Sequence, residues 1–214
     1  MNFATKEEVE TLLEQSPPGN NTKFLSSSHS LWYRFKNYEK NPPMVLREDG
    51  DIVSLIFATF NRDRYSNLYE IVTVEGKEGK GYASQIWDQY IDYATTTRGI
   101  ERLKISCTPS SITWHLRNGL VFWAVDPTGS LRSDQPLFRT REEQCEFRER
   151  AVLNPDIAAP VNPKVLEQLR KESLESHSFG SKKTQQVQEA IEKVGSYWLR
   201  ENLFKKSDIS AFFS

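Results

Sequence analysis

Two cysteines in 214 residues, Cys107 and Cys145, leave no material for a disulfide framework, and neither sits in a Cys-x-x-Cys or Cys/His cluster. They read as free thiols of a reducing compartment. Histidine is nearly as scarce: His29, His115 and His177 lie far apart without metal-ligand spacing, so no structural or catalytic zinc is expected. An excess of either charge is missing too, since 28 Lys and Arg face 29 Asp and Glu. That balance is not the footprint of a general nucleic-acid binder. No apolar run is long enough to span a bilayer, and the N-terminus lacks the basic-then-apolar order of a secretion signal. The expectation is a cytoplasmic protein without membrane contact. Internal repeats are absent, and the length suffices for one domain plus an extension.

What is present alternates. Met1 to Ala4 reads as a short strand, and Thr5-Lys6-Glu7-Glu8 as a capping box before a helix with Val9, Leu12 and Leu13. Ser16-Pro17-Pro18-Gly19 ends it. A second helix is expected from Ser27 or Ser28, with Leu31, Trp32 and Phe35 at helical spacing, until Asn41-Pro42-Pro43. Met44 to Leu46 and Ile52 to Phe60 flank Asp49-Gly50, a hairpin signal. After the polar turn Asn61 to Arg64, Leu68 to Val74 makes a third antiparallel strand. Ile86, Trp87, Tyr90, Ile91 and Ala94 then keep helical spacing until Arg98-Gly99, and Arg102 to Cys107 alternates as a strand. A short helix over Ser110 to Asn118 stops at Gly119. Leu120 to Val125 reads as a buried strand, Pro127-Thr128-Gly129 as a turn, and Leu137-Phe138-Arg139 as the last strand.

The stretch that organises the rest is Glu78-Gly79-Lys80-Gly81-Tyr82-Ala83-Ser84, where the β-rich run has stopped and a helical pattern begins at once. Glycines on either side of Lys80 permit a tight turn that aims main-chain amides at a ligand. The first N–H groups of a helix have no partner within it, and the helix dipole adds partial positive charge, so a diphosphate suits the place. The alternative is a turn chosen for backbone geometry alone.

Strand, glycine turn and helix together resemble the acetyl-CoA pyrophosphate loop of the GNAT superfamily of N-acetyltransferases, Arg/Gln-x-x-Gly-x-Gly/Ala. The pattern falls on Glu78-x-x-Gly81-Tyr82-Ala83, with Glu78 in place of Arg or Gln. Trp114-His115-Leu116-Arg117-Asn118-Gly119-Leu120 resembles the second signature, aromatic-Tyr-x-x-x-Gly-Phe, with His115 at the tyrosine and Leu120 at the phenylalanine. The order of elements from Met1 to Thr140 agrees as well.

This resemblance implies an α/β (α+β) fold: a mixed, mainly antiparallel, splayed sheet flanked by helices over residues 1–140, followed by a helical C-terminal extension over 141–214. It implies acetyl-CoA as acyl donor, with the loop Glu78 to Ser84 at the diphosphate. The main chain of Ile71, Val72, Thr73 and Val74 would hold the pantetheine arm. The reaction implied is direct attack of a primary amine on the thioester. Several protein acetyltransferases of the superfamily carry a basic glutamate in a similar Glu-Ile-Val context, which falls on Glu70. His115 takes the place of the tyrosine acid, and its ordinary pKa near 6.5 suits proton relay at neutral pH. Glu70 could equally be a surface residue paired with Arg62 or Arg64, and His115 an ordinary helix-face histidine. The acceptor is an amine-bearing small molecule or protein. A catalytically silent acyl-CoA-binding or interaction module is the alternative function. A nucleotide phosphotransferase fares poorly for want of a Gly-Lys-Ser/Thr step.

In the extension, Arg141 to Leu153 reads as a helix, Asn154 to Pro163 as a linker and Val165 to Glu175 as a charged helix. Val187, Ala190, Ile191, Val194, Trp198 and Leu199 form an apolar stripe within Thr184 to Leu203, to be buried on the core domain or in a homodimer. Ile209 to Phe213 is apolar enough to dock.

Overall fold

The structure is a computed structural model that describes residues 2–15, 40–107, 111–122, 124–125, 131–154 and 157. The second helix up to residue 39, the turn at 127–129, the linker apart from Asn154 and Ile157, the two helices after it and the apolar ending therefore lie outside the described residues. The chain divides into two units, Met1–Gly99 and Ile100–Ser214. Pairing is antiparallel in the strand ladders described within each unit, and helices flank the strands. The mixed, mainly antiparallel α/β class expected from sequence is the class found.

In the first unit, β1 (Asn2–Phe3), β2 (Met44–Glu48), β3 (Asp51–Phe60) and β4 (Tyr65–Thr73) pair in sequence order. The capping box forms at the start of α1 (Lys6–Gln15): Thr5 N donates to Glu8 Oε2 at 2.7 Å, and Glu8 N to Thr5 Oγ1 at 3.2 Å. The β2–β3 turn is the two-residue kind that Asp49-Gly50 favours, with φ of 52° and 92° at its central residues and Glu48 opposite Asp51. Helix α2 (Tyr82–Asp92) buries Ile86, Trp87, Tyr90 and Ile91 completely, each worth about 1.5–3 kcal/mol of apolar transfer. It runs on as a π-helical turn over Tyr93–Thr97, with Ala94 buried, and Arg98 N donates to Tyr93 O at 3.2 Å. Thr95 and Thr96 hydroxyls donate to the carbonyls of Ile91 and Asp92, competing with the regular ladder where it widens.

Two irregularities sort the faces of these strands. On the β2 side the register steps over Val53 between Leu46↔Ser54 and Arg47↔Ile52, and between β3 and β4 it steps over Tyr69 between Phe57↔Glu70 and Ala58↔Leu68. Each is a β-bulge. One face carries Val45, Ile52, Leu55 and Phe57, clustered with Ala4 and with Val9 and Leu12 of α1, and with Val72 and Val74. Arg47 joins that face through its ion pair with Glu8, 2.6 Å. The opposite face meets α2, where the Tyr90 hydroxyl donates to Ser66 Oγ at 2.7 Å.

In the second unit, β5 (Arg102–Cys107) pairs with β7 (Leu131–Pro136), which pairs with the two-residue β6 (Ala124–Val125). Helices α3 (Ile112–Arg117) and α4 (Arg141–Leu153) complete it, α4 behind a Thr140/Glu143 capping box. Two strand expectations need correction. Among the described residues of the expected Leu120–Val125 strand, Ala124–Val125 is strand and residues 120–122 are not, because Val121 N is met by the Gln135 side chain at 2.6 Å. Among the described residues the last strand is Leu131–Pro136, not Leu137–Arg139. It buries Ser133, Asp134 and Gln135, whose polar groups pair with each other and with Arg102, so it carries no apolar alternation to betray it.

Candidate functional site

The glycine loop sits where expected, between β4 and α2. Lys77 N donates to Val74 O at 3.0 Å, and Gly76, Gly79 and Gly81 take φ of 77°, 79° and 82°. Three left-handed residues in six bend the chain out of the strand and directly into the helix, a path non-glycine residues resist. Gly81 is the N-cap of α2 and no side chain caps that end. Its carbonyl accepts from Ser84 N and Gln85 N at 3.0 and 3.1 Å, leaving the amides of Tyr82 and Ala83 as the first of the helix. A Cβ on Gly76, Gly79 or Gly81 would meet nothing within 4 Å, so the loop is open to a bulky group. These features fit a diphosphate. Glu78 is exposed within the same loop, with Lys80 also exposed beside it.

Gly81→Val tests the loop. A β-branched residue at φ 82° is strained and would crowd the approach, so a diphosphate-bearing ligand should bind at least tenfold more weakly while the chain stays folded. Unchanged affinity by calorimetry counts against the loop as a binding site.

Ile71, Val72 and Thr73 continue β4, each half-buried, and Val74 N extends the pairing to Val53 O at 3.0 Å. Glu70 lies on the same strand, also half-buried. Its placement depends on the bulge. Ser66 and Leu68 face α2, so plain alternation would carry Glu70 into the apolar layer under Trp87 and Tyr90. The extra residue Tyr69 inverts the alternation, and Glu70 pairs with Phe57 on the face of Val72 instead. Tyr69 itself is 48% exposed. The sequence singles out Glu70 as a candidate but not the bulge beside it, which shows only in the pairing.

Tyr82, the first residue of α2, is buried. Glu48 at the end of β2 as an acceptor for the phenol proton, then burial and the charges of Glu48 and Asp49, push its pKa up to about 12. Lys80 Nζ stands 6.0 Å from the Tyr82 ring centroid.

His115 belongs to the second unit, on α3 within the Trp114–Leu120 stretch. It is buried, edge-on to Trp114 at 5.0 Å and to Phe122 at 5.9 Å, and its Nδ1 has no hydrogen-bond partner among the described residues. Burial pushes its pKa down from 6.5 to about 4. The expectation of a ring titrating near neutrality is thereby corrected: at pH 7 the imidazole is neutral. Between about pH 6.5 and 4 the unfolded chain takes up a proton that the folded chain refuses. Stability from this residue is therefore lost as pH falls through that window, at up to about 1.4 kcal/mol per pH unit. His115→Phe should flatten the acid side of the melting-temperature profile relative to wild type. Parallel profiles between pH 6.5 and 4 would show an ordinary, solvated histidine.

Cys107 is buried on β5 and its thiol is pushed up to about 12, chiefly by burial, so it is no nucleophile. Gly119 ends α3 in a Schellman arrangement, with Leu120 N donating to His115 O and Gly119 N to Leu116 O, both at 3.1 Å. Among the described residues no cluster of His, Cys, Asp and Glu could hold a metal, and no helix is long and apolar enough to cross a membrane.

Residues 7–119 match the model of the acetyltransferase (GNAT) family. Among solved structures, a spermidine N-acetyltransferase chimera from Vibrio cholerae and hSSAT is similar at 13% identity, over 67% of this chain and 95% of its own, with a TM-score of 0.50. An N-acetyltransferase from Staphylococcus aureus is similar at 17% identity, over 64% of this chain and 97% of its own, with a TM-score of 0.44. At 13% identity the likeness to the chimera is one of fold. No curated protein matches the sequence.

Proposed function

Because the chain belongs to the GNAT acetyltransferase family, whose common activity is acyl transfer, we propose that it moves an acetyl group from acetyl-CoA to a primary amine by direct attack. The observation that carries this reading is the uncapped start of α2 behind a loop of three positive-φ glycines, open to a diphosphate. Residues 78–84 hold that group by main-chain amides, and the main chain of Ile71–Val74 receives the pantetheine arm as an added strand would be received. Acetyl-CoA, when bound, supplies an acyl group on a good leaving thiolate. Glu70, turned out of the α2 layer by the bulge, takes the proton from the attacking ammonium so that the amine is neutral when it reacts. His115 is assigned to the leaving thiolate on its motif position alone; neutral at pH 7, it offers a hydrogen bond rather than a titrating proton.

We further propose that residues 1–140 carry the acyl-transfer fold and 141–214 an extension to it. A reading in which the chain binds acyl-CoA without turnover rests on two observations, the exposed Glu78 at the Arg/Gln position and the neutral His115. Thermal shift separates the ligand classes, since a ligand bound only by the native state raises its apparent stability. Acetyl-CoA should raise the melting temperature and ATP with Mg²⁺ should raise it less. Stabilisation by ATP with Mg²⁺ alone would contradict the donor assignment.

A further inference from the structure

The end of α2 remote from the glycine loop lines a cavity that acyl transfer leaves unused. It measures about 400 Å³, and Phe3, Gln89, Asp92, Tyr93 and Thr97 form its wall, all within the first unit. That is the size of a small-molecule site. Gln89, Asp92, Tyr93 and Thr97 recur at helical spacing, so they share one side of the helix. Phe3 of β1 meets Tyr93 edge-on, with ring centroids 5.6 Å apart and planes at 71°. Tyr93 is also held edge-on by Phe60 at 5.9 Å. Arg98 has its guanidinium over the Phe60 ring, 4.8 Å from the centroid, and is not part of the cavity wall.

Three features of that wall favour a positive charge. The helix ends here in a widened turn, where Arg98 N donates to Tyr93 O, and the negative end of the helix dipole falls at this end. Asp92 is the charged residue among the five. Two aromatic rings attract a cation through their quadrupoles. We propose that the cavity binds a small organic ammonium ion, its charge met by Asp92 and its methyl or methylene groups by Phe3 and Tyr93. Gln89 and Thr97 offer an amide and a hydroxyl to a polar tail. The site is distinct from the acyl-donor loop, because Gly81 at the helix start and Asp92 are eleven residues apart, about 16 Å at the helical rise. It is distinct from Glu70 as well: the bulge turns Glu70 to the Val72 face of the sheet, whereas the cavity lies on the α2 face.

The test is calorimetry on the full chain with choline and with dimethylbutanol, its uncharged analogue in which carbon replaces the ammonium nitrogen. Choline should bind at one site, roughly tenfold more tightly than dimethylbutanol. Asp92→Asn should weaken choline roughly five- to tenfold and leave dimethylbutanol unchanged. Phe3→Leu should weaken choline roughly threefold, while Tyr93→Phe keeps the ring and should retain affinity. Asp92 is exposed, so its variant carries the test should Phe3→Leu fail to fold. Saturating acetyl-CoA and the Glu70→Gln variant should each leave choline binding unchanged. No saturable choline binding, equal affinity for dimethylbutanol, or wild-type affinity in Asp92→Asn would overturn the site. Loss of choline binding on adding acetyl-CoA or in Glu70→Gln would move the ligand to the acyl-transfer groove and overturn it equally.

Discussion

Glu70→Gln is expected to cut acetyl transfer by roughly 10²–10⁴-fold while leaving acetyl-CoA affinity intact. Glutamine is nearly isosteric, so the pairing of β4 with β3 at Phe57↔Glu70 should survive. What it lacks is a lone pair basic enough to take the ammonium proton. The structural reason for choosing this carboxylate is the bulge at Tyr69, where the register shift moves Glu70 off the face that packs on α2. The loss should fall on kcat and shrink as pH rises, because a more alkaline solvent supplies amine already neutral. Full activity in Glu70→Gln on the true acceptor would transfer the base role to water or to another residue.

Gly119→Ala should destabilise the chain by about 3 kcal/mol, the sum of left-handed strain and overpacking. A Cβ there would lie 2.5–2.6 Å from backbone atoms of Gln144 and Cys145, which cannot swing aside, at φ 77°. Gln144 Nε2 also donates to Gly119 O at 3.5 Å and to Pro136 O at 3.3 Å, and its Oε1 accepts from Phe138 N at 3.1 Å, so moving α4 away would break that network. For a domain of this size the melting temperature should fall by roughly 6–12 °C. Gly99→Ala is the control: φ is 62° but nothing lies within 4 Å, so only the strain of about 1–2 kcal/mol applies. Equal losses in the two variants would show that the close approach to α4 costs nothing.

These two residues also mark what could be read in advance. Gly119 was legible as a helix stop because a stop is a local matter, but its contact with Gln144 is 25 residues distant and leaves no local trace. Glu70 was legible as a carboxylate in an apolar strand; the bulge was not, since register exists only between two strands. Local chemistry carried the Thr5/Glu8 box, the Asp49-Gly50 turn and the strand-to-helix glycine loop, each of which formed. The same Ser/Thr-x-x-Glu signature at Thr140-Arg141-Glu142-Glu143 could have marked the start of α4. Strand β7 stayed hidden because its buried side chains are polar and satisfied by partners such as Arg102, whose Nε and Nη2 reach Asp134 Oδ1 at 3.1 and 3.0 Å. The neutral state of His115 depends on burial among Trp114 and Phe122, which no motif position conveys.

The most direct measurement is thiol release from acetyl-CoA by the full chain with a panel of primary amines: polyamines, lysine-bearing peptides and peptides with free N-termini. The account predicts that at least one amine releases free CoA in step with its own acetylation, and that Glu70→Gln abolishes that release without loss of acetyl-CoA binding. Saturable acetyl-CoA binding with no release above background on any amine would contradict it and leave an acyl-CoA-binding module on the same fold.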